Sequence, residues 1–492
     1  MGWNKVCRAD SREKPGPLRM PLALGIGTGL IYLAFLAPGI SNIDGLSMLT
    51  VAESLVVNHN LTVPADIGML GRDGNSYSKL YPLLSLLAVP FVAAGVALSH
   101  LLGLPSHDLA AIFALMLPAL LTAGTTSLVA LLALRLGSTT EGAWLAALSF
   151  ALGTIALVYA RTFFAEPLLA FLTAGSLYLV LGGTVREVIG AGVFVGLAVL
   201  AKPAGVIVGP ILSAYLLAKR RPLRIAAVPV FATGIALMLF AGYNYMRFGN
   251  PLSFGQPWSF RVAAIPEGVL GLLLSPGRGL LWYCPAVILF IVGLRAAVRS
   301  KPLEALMPVI LFIGYLMLHS YWTTWTGGWS WGPRFLLPAL PGLSALTGML
   351  DKNWRKGLLI LTVIGFFVNA PTLISFYERY YAEANEQGIS QQALLWSPKY
   401  APLMQAWGTA YRQLKDAVES DVRELSHRTH TPGGTVANSR ALRVVAVWWW
   451  VLPVAGIPRW IGIAVALLLL ATGLWVMSKG AASCREEAVH ST

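Results

Sequence analysis

The chain has 492 residues, of which 56% are hydrophobic and 12% charged, with a formal net charge of +14 and a mean hydropathy of +0.67. Values this apolar exclude a soluble globular domain. The surplus of Lys and Arg falls in short clusters between apolar runs, as orientation signals do, which argues for a membrane and against nucleic acid. Cys7, Cys284 and Cys484 are too scattered for a disulfide framework or a C-x-x-C metal site.

Lys5, Arg8, Arg12, Lys14 and Arg19 precede the first apolar run. They predict a retained anchor with residues 1–19 in the cytoplasm and a first span from Met20 to Pro38 running outward. Within that span the spaced glycines of Gly25–Gly29 follow no strand, so they read as close helix packing and not as a nucleotide loop. A polar outer loop over 39–108 follows. Asp44 stands near its start, and Leu46, Leu49, Ala52 and Val56 then share one face of a surface helix, with Ser47, Thr50, Glu53 and Ser54 on others. On local grounds Asp44 is either the N-cap of that helix or a functional carboxylate.

Further apolar runs lie at about 83–104, 109–134, 143–160, 166–183, 188–201, 204–218, 225–243, 279–294, 303–319, 335–350, 357–374 and 459–478. Three basic turns, at Lys219, Arg220, Arg221 and Arg224, at Arg295, Arg299 and Lys301, and at Lys352, Arg355 and Lys356, belong on the cytoplasmic side. Two arrangements satisfy parity. In one, 83–104 lies at the surface and 188–218 is a hairpin turning outside at Lys202; in the other, 83–104 spans and 188–218 is a single kinked helix. The second leaves Lys202 in mid-bilayer, where a lone ammonium costs about 2.5 kcal/mol or more, so the first is preferred. It predicts an all-α polytopic protein of about 12 transmembrane helices. The expected units are a core over 20–375, an outer loop or small cap over 376–458 with a turn at Thr431–Thr435, a last span over 459–478 and a cytoplasmic tail over 479–492.

This topology gathers Asp44, Lys79, Arg161, Glu166, Lys202, Arg247, Arg278, His319 and Arg334 on the outer side, with Trp322, Trp325, Trp329 and Trp331. Each has a plain alternative: an interfacial aromatic belt for the tryptophans, mutual pairing for Arg161 and Glu166, lipid headgroups for Arg247, Arg278 and Arg334, and a packed ring for His319. As a set, a loop carboxylate among outward cations suits a phosphate-bearing substrate at headgroup depth and a reaction needing one base. A sugar linked to a lipid phosphate is such a substrate, because its phosphate can depart without a general acid if cations hold it.

The stretches IDGLSMLTVAESL, NSYSKLYPLLSLLAVPF, ARTFFAEPLLAFLTAGSLYL, GLAVLAKPAGVIVGPIL, YNYMRFGNPLSFG and WTGGWSWGPRFLLPALP resemble the C-type-fold membrane glycosyltransferases. Protein O-mannosyltransferases and undecaprenyl-phosphate-aminoarabinose lipid A transferases are the nearest in pattern, over residues 20–350. The resemblance implies a C-type glycosyltransferase fold with surface helices in the first outer loop and Asp44 as the catalytic carboxylate. It departs from the family in having Gly45 where a second acid is frequent, and in Lys79-Leu80-Tyr81-Pro82 where Lys-Pro-Pro is usual. It also implies Lys79 at the donor phosphate, and matches Glu166 to the acid of the second outer loop and Lys202 to the lysine of the Lys-Pro turn; with these, Arg334 and Lys202 are expected at the donor phosphate, and Glu166, Arg161, Tyr81, Trp329 and Trp331 at the sugar or acceptor site. The expected function is inverting transfer of a hexosyl or pentosyl group from a polyprenyl-phosphate carrier to a lipid, glycan or protein acceptor. The expected place is the extracytoplasmic face of a bacterial inner membrane. No cofactor, metal or nucleic-acid partner is expected. The alternatives are a transporter or flippase of lipid-linked saccharide and a non-catalytic subunit of an envelope assembly.

Overall fold

The glycines of the first apolar helix dictate how it packs. A Cβ at Gly25 would fall 2.1 Å from Ser127 Oγ, and one at Gly27 would fall 2.7 Å from the carbonyl oxygen of Gly473, so two other helices press against this one where it has no side chain. The computed structural model describes residues 19–253, 259–419 and 444–490, with side chains up to residue 482. Lys5, Arg8, Arg12, Lys14 and the Thr431–Thr435 turn lie outside the described residues.

In chain order the α-helices are α1 (Arg19–Ala34), α2 (Ile43–Val57), α3 (Pro82–Leu102), α4 (Ser106–Ala114), α5 (Met116–Leu136), α6 (Thr140–Gly153), α7 (Ala156–Tyr159), α8 (Ala165–Gly182), α9 (Val185–Ala201), α10 (Val208–Ala218), α11 (Leu223–Ala226), α12 (Val228–Phe248), α13 (Ile265–Leu274), α14 (Leu280–Tyr283), α15 (Phe290–Ser300), α16 (Pro302–Tyr321), α17 (Leu340–Thr347), α18 (Lys352–Asn369), α19 (Glu378–Glu386), α20 (Gln391–Trp396), α21 (Pro402–Glu419) and α22 (Arg459–His490). Among the described residues the only sheet is a short antiparallel hairpin pairing Met69–Leu70 with Ser76–Tyr77. The chain is an integral membrane protein: among the described residues seven helices are long and apolar enough to cross a bilayer, and side chains such as Phe231, Met238, Ile360 and Leu468 stand exposed on them. Several runs that the sequence presents as single spans are broken. The 279–294 run divides into α14, a 3-10 turn over Pro285–Leu289 and the start of α15, and 335–350 divides into a 3-10 segment Arg334–Ala339 and α17. Pro285, Pro338 and Pro341 withhold the amide hydrogens a continuous helix would need. At the other extreme α22 continues through the expected tail to His490.

The bundle has two chemically different ends. At one, Arg135 pairs with Glu187 at 3.1 Å and Lys219 with Glu304 at 2.5 Å, Arg355 meets Glu141, and Lys301 donates to the carbonyl of Arg135 at 2.5 Å. The three basic turns therefore meet there. Eighteen residues of α8, about 27 Å at 1.5 Å per residue, separate that end from Glu166. The path between α9 and α10 is the expected hairpin: a Cβ on Gly205 would fall 2.5 Å from the Ala198 carbonyl oxygen and one on Gly209 3.2 Å from Val195. The chain reverses at Lys202, whose backbone is extended (φ −164°, ψ 135°).

Both ends of α3 stay at the end of the bundle that carries Glu166. Ser85 Oγ donates to the Met48 carbonyl at 2.9 Å, and after α3 the nine residues of α4 put His107 Nδ1 2.8 Å from Glu53 Oε1 of α2. α2 itself differs from the simple amphipathic reading. Leu49 and Ala52 are buried as expected, but so are Ser47 and Ser54, because Ser47 shares a 2.7 Å hydrogen bond with Ser78 and Ser54 donates to Asn60 at 2.6 Å. Those bonds fold the loop back onto the helix.

The described part of 376–458 is tied to the bundle. Gln413 accepts from the Phe376 amide at 3.1 Å and donates to the Val444 carbonyl at 2.6 Å, and the indoles of Trp448 and Trp449 donate to carbonyls of Leu33 and Ala34 at the end of α1.

Candidate active site

Asn42, and not Asp44, caps α2. Its backbone is extended (φ −111°, ψ 147°) and its Oδ1 accepts from the Gly45 amide at 2.6 Å, so Asp44 stands in the first helical turn with its carboxylate free to face across the bundle. The departure at Gly45 has a steric cause: a Cβ there would fall 2.6 Å from the carbonyl oxygen of Phe163 and 2.8 Å from Ile40. No second acid fits.

Arg334 is the hub. Its Nη2 lies 3.3 Å from Asp44 Oδ2 and its Nε 3.5 Å from Glu166 Oε1, and the same Glu166 oxygen accepts from Lys202 Nζ at 2.7 Å. The carboxylates differ in access: the Glu166 side chain is 2% exposed and that of Asp44 26%. Aromatic faces complete the shell, with the Arg334 guanidinium 4.4 Å from the centre of the Phe164 ring and Lys202 Nζ 4.4 Å from that of Phe335. Glu166 lies in the first turn of α8, where the helix dipole favours an anion. Arg334 follows a loop in which Gly327 and Gly328 both take positive φ, 73° and 66°, a backbone other residues resist. Burial pulls the Lys202 ammonium below its ordinary pKa, against the pull of Glu166. For Arg334 the same burial is outweighed by Glu166 and Asp44, which hold it firmly protonated.

Lys79 follows the hairpin directly, after Tyr77 and Ser78. The hairpin and the Ser47–Ser78 bond fix its backbone, and Arg247 donates to the Ser78 carbonyl. Its ammonium, half-buried, makes no ion pair or hydrogen bond among the described residues. Two residues on, Tyr81 packs against Phe240 with ring centres 5.8 Å apart. Its hydroxyl is held above the usual phenol range by burial and then by Asp44 and Glu166, which places it beside the cluster.

Other expected site residues lie elsewhere. Arg161 does not pair with Glu166: it donates to the Thr372 carbonyl and faces Glu378 and Tyr377. Trp331 is 1% exposed, with its indole N–H on Asn369 Oδ1 at 2.7 Å and its ring edge-on to Tyr283, so it packs in the core. Trp329, half-buried, stacks on Tyr381 at 5.9 Å. Arg278 donates to the carbonyls of Thr326 at 2.8 Å and Gly328 at 2.5 Å and to the Tyr381 hydroxyl, stitching the loop before Arg334. Arg247 is buried against Asn244 and the Ser78 carbonyl. Neither is available to a lipid headgroup. His319 is buried and stacks on Phe335 at 4.4 Å. Glu378 and Tyr377 were not anticipated; the one signal for them was an acid set among aromatics directly after the 357–374 run. Among the described residues no group of three or more His, Cys, Asp or Glu is placed to hold a metal ion.

No family model and no curated protein matches this chain. Solved structures do. ArnT from Cupriavidus metallidurans is similar in its apo state over 91% of this chain and 76% of its own, at 17% identity and a TM-score of 0.50. The same protein bound to undecaprenyl phosphate covers 94% and 77% at 16% identity and a TM-score of 0.49. The apo oligosaccharyltransferase of Archaeoglobus fulgidus covers 85% of this chain and 59% of its own, at 15% identity and a TM-score of 0.48. The fold is that of the C-type membrane glycosyltransferases.

Proposed function

We propose that the protein is a glycosyltransferase that moves a sugar from a polyprenyl-phosphate carrier to an acceptor hydroxyl, with inversion at the anomeric carbon. The observation that carries this reading is the Arg334 bridge between an accessible carboxylate and a buried one. Asp44, the more exposed carboxylate, takes the acceptor's proton; the acceptor oxygen bonds to the anomeric carbon, and the carbon–oxygen bond to the phosphate breaks with its electron pair leaving on the phosphate. Glu166 is spent on Lys202 and Arg334, so it positions the cations and does not touch the sugar.

The charges support a role for Lys79. Asp44 and Glu166 balance Arg334 and Lys202, leaving no net charge for a phosphate that gains a second negative charge as it departs. Lys79, without a partner among the described residues, supplies the additional cation. The clustering of basic residues at one end of the bundle supports a cytoplasmic assignment of that end by the positive-inside rule, and with it an extracytoplasmic Asp44.

Incubating purified protein with radiolabelled polyprenyl-phosphate sugars and a membrane extract tests the proposal. Label should move from the carrier to an acceptor fraction with wild type and stay with Asp44→Asn. Carrier that crosses a vesicle membrane with its sugar still attached would indicate a transporter instead.

A further inference from the structure

A polar cleft is lined by Ser41, Asn42, Arg161, Thr372, Ser375 and Glu378 with apolar neighbours. Arg161 is 5% exposed, yet only one of its nitrogens, Nη1, has a partner; its Nε and Nη2 are buried without any. These two N–H groups lie on one edge of the guanidinium, the fork that accepts two oxygens of a carboxylate or phosphate. Leaving such donors unpaired is costly. We infer that this cleft is a second anion site, separate from the donor phosphate, that seats an anionic group of the acceptor.

The separation and the nearness are both structural. Ile40, Asn42 and Phe163 line the cleft and also press on Gly45, the residue after Asp44, so they form a wall between cleft and catalytic carboxylate. Neither Lys79 nor Tyr81 lines the cleft, and Tyr81 is influenced instead by Asp44, Glu166 and Arg334. Tyr377 lines the cleft, and its hydroxyl is influenced by Glu378 and, less, by Arg334. Glu378 Oε1 accepts from Ser41 Oγ at 2.9 Å, and burial raises its pKa to about 7. When protonated it is a donor to an incoming anion and not a competitor. Burial also lowers the Arg161 pKa to about 9, outweighing the opposite pull of Glu378. That the anion belongs to the acceptor rests on the glycosyltransferase reading; that the cleft binds an anion does not.

The test is native mass spectrometry of the full chain in phosphatidylcholine nanodiscs, titrated with phosphatidate, with glucose 6-phosphate and with undecaprenyl phosphate. Wild type should take up one equivalent of phosphatidate or of glucose 6-phosphate beyond the neutral lipid and glucose controls, and this should persist with undecaprenyl phosphate bound. Which probe binds separates a lipid from a glycan acceptor. Arg161→Gln should weaken that uptake at least tenfold and Arg161→Lys by less, both holding undecaprenyl phosphate within twofold of wild type. Should Arg161→Gln fail to fold, Ser41→Asp decides, because it adds a carboxylate to the cleft with Arg161 in place and should also weaken uptake at least tenfold. Uptake no better than the neutral controls, or either variant binding as wild type, overturns the inference. Binding needs no turnover, so a protein that takes up the anion but transfers no sugar sinks the proposed function and leaves the cleft standing.

Discussion

Arg334 Nη2 lies 3.3 Å from Asp44 Oδ2, joining residues 290 positions apart in the chain. That contact gives Asp44 a partner outside its own helix, and Asn42 takes the cap, so catalysis and helix capping can be separated by substitution. Asp44→Asn should lower sugar transfer by about 100-fold or more with an unchanged melting temperature, since it removes the proton acceptor and leaves the cap. Asn42→Ala should instead cost about 1 kcal/mol of stability. Turnover by Asp44→Asn equal to wild type would remove Asp44 as the base.

Lys79 lacks a partner, so removing it should change binding and not folding. Lys79→Ala should weaken undecaprenyl phosphate binding about 10- to 150-fold, the loss of one charge-assisted contact of about 1.5 to 3 kcal/mol. Its melting temperature should match wild type. Titration of the carrier phosphate checks this, with Arg295→Ala at the basic end as the control.

Glu166 and Lys202 behave as a buried pair. Glu166→Gln should destabilise the protein by about 3 to 5 kcal/mol, because it leaves Lys202 and Arg334 short of a counter-charge. The Glu166→Gln, Lys202→Met double variant should be less damaged than the sum of the two single changes. A double-variant cycle on denaturation midpoints measures the coupling; simple additivity would show that the pair does not act as a unit.

Glu378 makes stability depend on pH. Its folded pKa of about 7 lies above the ordinary value of 4.5, so folding takes up a proton between those values. Stability is then fully present below about 4.5, falls as pH rises towards 7, and is flat above. The loss is on the order of 3 kcal/mol by linkage. Glu378→Gln should flatten this dependence, raising the melting temperature at pH 8 while leaving it near wild type at pH 4.5. An unchanged slope between pH 5 and 7 would assign the effect elsewhere.

Trp331 supports the site from within the core. Trp331→Phe removes the N–H bonded to Asn369 and leaves a buried amide oxygen unsatisfied, which should cost about 1 to 3 kcal/mol. Transfer per folded molecule should hold, as expected of a residue packed in the core.

Composition and periodicity by themselves determined the membrane class, the helical architecture and the tight packing at Gly25 and Gly27. They also placed the three basic turns together and the reversal at Lys202, because hydropathy and charge segregation act over stretches of about 20 residues that the sequence displays directly. Motif resemblance added Asp44, Glu166, Lys202 and Arg334 as a set. Only the tertiary structure decided how they are used. Whether Asn42 or Asp44 caps α2 depends on a one- or two-residue difference in where the helix begins, below what periodicity resolves. Arg161 is five residues from Glu166, yet the short α7 and the bend before α8 turn it towards Glu378, and an ion pair forms only where helix packing brings the groups within a few ångströms. The burial of Trp331 and the use of Arg278 and Arg247 on carbonyls follow likewise from loops meeting across the bundle. Aromatic and basic residues at a membrane end look alike in sequence whether they face lipid, substrate or the core, and packing alone separates them.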